Sequence, residues 1–380
     1  VTVARDRACI VEGEGSLRFA ELKECFPKIL EGLEQGLTVV IDEFQRLPER
    51  YWDALSVKAG STGRLIACGS SMGIVKEVFG RNSPLLGLLM PFHVDIASPE
   101  DAVTSLLAAL KPGDAVLWAT LVRDPWILAL ISPEGDPAES LVREARKLVP
   151  VALSLIGEVF TDEERQLTRL YEAVLKLLAR RVWSTYALAQ KLYEAQLLSA
   201  PNPGIVAGIL NQLSLMGLVE GIPLWRTRGA RKYYKLRSPI TSLLLRMSEL
   251  VEEHGLGPSK DAVRSDICLE LQFMLGELLA KHHSLKRAYT ILPDGKGDID
   301  VVLLSKSGQP LMAYEIKVGA ITKGEARKAV SRIKEYGIPK AGLVSLKERP
   351  PEGVADEVMG PREIAELAKK LRQAQHANTT

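Results

Sequence analysis

The sequence predicts a multidomain α/β protein in three parts: an α/β segment at each end and a winged helix-turn-helix between them. Three observations predict this. Strand and helix signals alternate in residues 1–112 and again in residues 263–350. Between them, leucines and valines at positions 167, 170, 174, 177 and 178 recur at helical spacing. After two further helical runs comes a short alternating ribbon rich in Arg and Lys, LWRTRGARKYYKL, at 224–236. With 380 residues, 46% hydrophobic and 25% charged, the chain is long and apolar enough for several cores.

Taken in order, residues 17–35 read as a helix, 38–41 as a strand, 49–59 as a helix and 64–68 as a strand ending in Gly69-Ser70-Ser71. A helix around 73–79 follows. Such alternation predicts parallel strands, with ligands at their C-terminal edges. Residues 113–160 read as a helical lid or connector. Residues 161–245 read as the winged helix, with helices at 184–198 and 205–217 around a Pro/Asn/Gly break. Residues 246–262 hold a further helix and a linker, GLGPSK. A helix at 262–282 opens the last α/β segment. Strands at 287–292, 298–304 and 311–318, a helix at 324–336 and a strand at 341–345 follow. Residues 351–380 read as a final helix and a polar tail.

Composition excludes some classes. Net charge is only +2, so any nucleic-acid footprint must be local. Cys9, Cys25, Cys68 and Cys268 are scattered without metal-site spacing, which fits a reducing cytoplasm. No apolar run reaches membrane-span length, and VTVARDRACI lacks the apolar core of a signal peptide.

Three stretches carry chemistry. In VVIDEFQ (39–45), a buried strand delivers Asp42 and Glu43 at its C-terminal end. RLIACGSSMG then places Ser70 and Ser71 after the next strand, and SPLLG follows. These three motifs, in order, resemble the archaeal P-loop ATPase family, a branch of the AAA-like ATPases. The resemblance implies Mg²⁺ held by Asp42, water aimed by Glu43 and a γ-phosphate sensor at Ser70 or Ser71. Two departures stand out. No G-x-x-x-x-G-K-[ST] phosphate loop occurs in the sequence, and Leu88 stands where the family has arginine. ATP is therefore expected only if such a loop lies upstream. Otherwise the segment is a relic kept for its fold; the plainer reading is that Asp42 and Glu43 merely cap the next helix.

In the winged helix, the wing carries Arg226, Arg228, Arg231, Lys232, Lys235 and Arg237 without an acidic residue, interleaved with Trp225, Tyr233 and Tyr234. That mixture suits phosphate contact and base stacking, so DNA is the expected partner. The plainer reading is a structural winged helix packed between domains.

The third stretch is GDIDVVLLSKSGQPLMAYEIKVG, 297–319. If Ser307-Gly308 centres the hairpin, paired residue numbers sum to 615. Asp300 then faces Glu315, and Asp298 faces Lys317, all on one face. Ile299, Val301 and Leu303 share the other face with Tyr314, Ile316 and Val318. Two carboxylates this close, about 5 Å between β-carbons, suit Mg²⁺ or Mn²⁺ between them. The arrangement resembles the PD-(D/E)XK nuclease fold, a restriction-endonuclease-like α/β/α domain. The resemblance implies metal ligands Asp300 and Glu315, a hydrolytic Lys317, and a supporting helical acid, Glu270 or else Glu277. A cross-strand ion ladder between Asp298 and Lys317 is the plainer alternative. The expected function is DNA binding with metal-dependent phosphodiester hydrolysis. The rival is an ATP-driven switch whose last domain only binds DNA.

Overall fold

The computed structural model describes every residue except 1, 5–6, 13–15, 59, 61, 70–76, 161–164, 228–230, 253–256, 291–298 and 378–380. Two compact units emerge, one from residues 1–94 and 159–162, the other from 95–158 and 163–380.

In the first unit, three antiparallel strands, β1 (Thr2–Ala4), β2 (Arg7–Glu12) and β3 (Ser16–Glu21), precede α1 (Leu22–Glu34). The sequence reads 17–35 as one helix; its first five residues instead complete β3. SLRFAE alternates polar and apolar residues, the period of a strand. β4 (Thr38–Ile41) pairs in parallel with β5 (Arg64–Ala67), and α2 (Arg50–Val57) lies between them in sequence. Ile41 is fully buried, whereas Val40 and Ile66 are exposed. The pair thus packs one face against α1 and α2, where Phe26, Ile29, Phe44 and Trp52 form the core.

The second unit begins at Asp95, not at 113. The residues in between form α3 (Pro99–Leu106), capped by the Ser98 hydroxyl accepting from the Asp101 N–H. α3 packs on α4 (Pro112–Val122), and both share a core with α5 (Pro137–Val159). Next come α6 (Arg165–Ala179), α7 (Thr185–Glu194) and α8 (Pro203–Leu215), then the antiparallel hairpin β6 (Val219–Pro223) and β7 (Lys232–Leu236). Three helices and a ribbon are the expected winged-helix order. The first strand, however, lies at 219–223 and not in the 224–236 stretch. α9 (Pro239–Glu252) and α10 (Lys260–His283) occupy both ends of the expected 246–262 linker.

The last part is a five-stranded mixed sheet of order β12-β11-β10-β9-β8. β8 (Lys286–Ala288), β9 (Val301–Leu304) and β10 (Pro310–Lys317) form an antiparallel meander. α11 (Lys323–Glu335) then crosses to β11 (Lys340–Ser345), parallel to β10, and β12 (Glu357–Met359) extends the sheet before α12 (Pro361–Ala377). One face of the sheet buries Val301, Leu303, Met312, Tyr314 and Ile316 against α10 residues such as Leu271, Met274 and Leu278. The other buries Val302, Leu304 and Ala313 against Ile333 of α11. Burying each such Leu or Ile stabilises by roughly 1.5–3 kcal/mol. No helix among the described residues is long and apolar enough to cross a membrane.

Candidate functional site

The hairpin β9–β10 has the register read from its turn. Val301 pairs with Tyr314, Val302 with Ala313 and Leu303 with Met312, each pair summing to 615, with a shift only at Pro310. The pleat, however, stops at Val301. The Thr290 hydroxyl donates to the Ile299 carbonyl at 2.8 Å and accepts from its N–H at 3.3 Å. Held this way, Ile299 leaves the ladder and packs with Val302 and Ala313, on the α11 face and not with Val301 and Tyr314 as expected. The Ile316 N–H is then satisfied by the Asp300 carboxylate at 2.7 Å, a side chain standing in for a strand carbonyl.

This slip separates the expected metal ligands. The other oxygen of Asp300 accepts from Gln272 Nε2 of α10 at 2.7 Å, and Asp300 lines a cavity of about 440 Å³ with Trp183, Cys268, Gln272 and Tyr289. Glu315 is held by Arg332 of α11, on the opposite side of the sheet. Burial pushes the Glu315 carboxyl above the usual range, with Arg332 and Lys317 pulling back. Lys317 donates to Glu325 at 2.6 Å, and Asp298, its expected partner, lies outside the described residues. Glu325 is pulled down to about 2, first by Lys317 and then by the Thr322 cap of α11. Asp300 and Glu315, so partnered, do not fit a shared divalent cation.

Glu270 does not join them either. Two residues apart on a helix means about 200° of rotation, so Gln272 faces Asp300 while Glu270 faces away. Glu270 is buried and ion-paired with Lys235 at 2.9 Å. Burial raises its carboxyl above the usual range, opposed by Lys235. The alternative acid, Glu277, is taken by Arg123 at 3.0 Å and Arg237 at 3.4 Å.

The same contacts revise the wing. Lys235 is 5% exposed, donates to the Leu236 carbonyl at 2.7 Å and lies 5.0 Å from the Phe273 ring centroid. Arg237 is clamped by Asp95 at 2.8 Å and Glu220 at 3.0 Å. Arg287 also reaches Glu220, whose carboxyl burial would raise, but Lys235, Arg287, Arg237 and Arg123 hold it below the usual range. Tyr233 is buried among Trp183, Phe273 and Tyr289, with ring centroids 4.7–5.6 Å from its own. The hairpin's backbone is engaged as well: Trp225 donates to the Tyr289 carbonyl at 3.0 Å, and Tyr289 to that of Pro223 at 2.9 Å. Lys235, Arg237 and Tyr233 therefore anchor the wing to α10 and the sheet and present nothing to DNA. Sequence reading missed Glu220; its hairpin partner is Lys235, a pairing the β6–β7 register gives directly.

What stays outside is the hairpin tip. Arg231 and Lys232 are exposed. Arg226 is exposed too, its guanidinium 5.5 Å from the Trp225 centroid and 5.1 Å from that of Tyr336. Arg228 lies outside the described residues, as do Ser70 and Ser71. In the first unit the Asp42 carboxylate accepts from the Glu43 N–H at 3.0 Å. Glu43, at φ 55°, accepts from Gln45 Nε2 at 2.7 Å and lies 3.5 Å from Arg46. These are local turn contacts; neither carboxylate caps the short 3-10 helix Phe44–Arg46 by a side-chain hydrogen bond.

No family model and no curated protein matches the chain. Among solved structures it is similar to the Orc1 protein of Aeropyrum pernix in complex with DNA. That match has 16% identity and a TM-score of 0.25, covering 62% of this chain and 71% of that one.

Proposed function

We propose that this chain is a DNA-binding protein of the archaeal P-loop ATPase type that touches DNA with α8 and the tip of the β6–β7 hairpin. One observation carries the reading: the basic residues of the wing divide into an ion-paired set turned inward, buried Lys235 and half-buried Arg237, and an exposed set, Arg231, Lys232 and Arg226. Exposed cations and a helix with no acidic residue (PGIVAGILNQLSL) can approach a phosphate backbone without repulsion. The uncharged outer face of α8, with Asn211 and Ser214, offers hydrogen bonds to bases but few contacts to phosphate. The test is fluorescence anisotropy with a duplex across a salt series. Arg231→Ala with Lys232→Ala is expected to lower the salt slope by about two, near 0.9 per phosphate contact. An unchanged slope overturns the reading.

Metal-dependent cleavage by a restriction-endonuclease-like sheet is the second reading, favoured by the strand order and the 615 register of β9–β10. It requires Arg332 to release Glu315, and Asp300 to turn away from the Ile316 N–H and Gln272. Plasmid nicking with Mg²⁺ or Mn²⁺ tests it, and equal, negligible cleavage by wild type and Asp300→Ala sinks it. ATP binding would need a phosphate-cradling loop from outside these 380 residues.

A further inference from the structure

The last turn of α10 ends in two adjacent histidines, and the edge strand β12 begins with a glutamate. His282, His283 and Glu357 each offer a ligand atom, and these atoms lie within 4.8 Å of one another. Among the described residues they are the one such group of three. His283 Nε2 lies 3.2 Å from Glu357 Oε2, and His282 Nε2 3.8 Å from Oε1. A tetrahedral ion with bonds near 2.05 Å needs ligand atoms about 3.3 Å apart; the His283–Glu357 separation already matches, the His282–Glu357 one is about half an ångström wide, and no pair exceeds 4.8 Å.

The surroundings favour such an ion. The hydroxyl of Tyr314, a residue buried in the sheet, donates to Glu357 and lies 2.6 Å from His283 Nε2. Because the tyrosine proton is committed to Glu357, His283 Nε2 must be the donor to the hydroxyl oxygen. Binding an ion through Nε2 moves that proton to Nδ1 and requires the imidazole to exchange its hydrogen bond to the Tyr314 hydroxyl for the ion. Gly342, paired with Tyr314 across β10–β11, keeps the tyrosine in place: a β-carbon there would meet its ring at 2.2 Å. The C-terminal end of α10 adds negative potential.

We propose that His282, His283 and Glu357 bind one Zn²⁺, with Tyr314 orienting the carboxylate and a fourth position open to water. Two imidazoles and a carboxylate are a nitrogen and oxygen set suited to this ion, and the site would tie the end of α10 to the edge strand β12.

The experiment uses the full chain, stripped with chelator and titrated with Zn²⁺ by calorimetry. Saturation at one ion per chain is expected. Glu357→Gln, which keeps an acceptor for Tyr314, should weaken binding at least tenfold, and His282→Gln with His283→Gln should abolish it. Asp300→Ala and Cys268→Ala should leave it unchanged. The Co²⁺-loaded protein should show d–d bands without a thiolate charge-transfer band, a readout independent of how the variants fold. Absence of saturable binding by wild type, retention by the double variant, or a thiolate band each overturns the assignment.

Discussion

The β6–β7 and β9–β10 hairpins both carry charged residues among apolar ones, and their paired residues keep a constant sum of numbers except at Pro310. Their charges nevertheless meet different fates. In β6–β7 the charges near the open end, Glu220, Lys235 and Arg237, are pressed against α10 and become a neutralised interior network, while those at the tip stay in water. In β9–β10 the charges sit where the ladder ends, and each is claimed by a different neighbour: Gln272, Arg332 or Glu325. Cross-strand pairing is a local property, but whether a paired charge is buried, and by whom, depends on what docks against the hairpin.

The comparison breaks most visibly at Glu270. Glu270→Ala leaves Lys235 buried without its nearest counter-charge and should cost about 3–5 kcal/mol. Glu270→Leu with Lys235→Met should recover most of that loss, because a well-packed apolar pair avoids desolvating either charge. Urea denaturation of the three proteins checks both expectations. If Glu270→Ala unfolds at the wild-type midpoint, the wing is not anchored through this pair.

Thr290→Val comes next. It keeps the shape but leaves the Ile299 N–H and carbonyl without the hydroxyl that holds them off the ladder, at a cost of about 1–3 kcal/mol. Loss of hydrogen-exchange protection at the Ile316 amide, now held by Asp300, would accompany it.

The Arg332→Met variant acts through pH. Glu315 in the folded state binds its proton more tightly than the ordinary carboxyl at 4.5. Its contribution is therefore fully present below that value and falls away as pH rises through the raised folded pKa. Removing Arg332 takes away the main force pulling that pKa back down, so the variant should lose more stability than wild type as pH rises above 4.5. Parallel denaturation midpoints against pH would contradict this.

The smallest effect on stability belongs to the tip. Arg231→Ala with Lys232→Ala should change it by less than about 0.5 kcal/mol, as for surface positions without packed partners. A normal melting midpoint alongside a reduced salt slope for DNA would show the two ends of one hairpin doing separate jobs.

Much of the architecture was legible in the residues. Leu and Val at helical spacing marked α6, the Ser307-Gly308 turn set the β9–β10 register, and the helix read at 324–336 forms as α11, whose Thr322–Glu325 capping box was not read. β1 to β3 were not read, since an alternating SLRFAE runs without a break into an amphipathic helix. The acidic site was legible only as a spacing. Asp300, Glu315 and Lys317 are where the register puts them along the chain, yet Thr290, ten residues from Asp300, turns the backbone so that Asp300 faces Gln272.

Local rules of turn, pleat and helical period act over a few residues, so the sequence by itself determined which elements form and which residues pair. Burial and polar contact join residues far apart in number: Lys235 to Glu270, Arg237 to Asp95, His283 to Glu357. A side chain's charge is worth little in water and several kcal/mol once desolvated. Only the tertiary structure, which settles what is desolvated, decided that Lys235 and Arg237 of the basic wing hold the protein together.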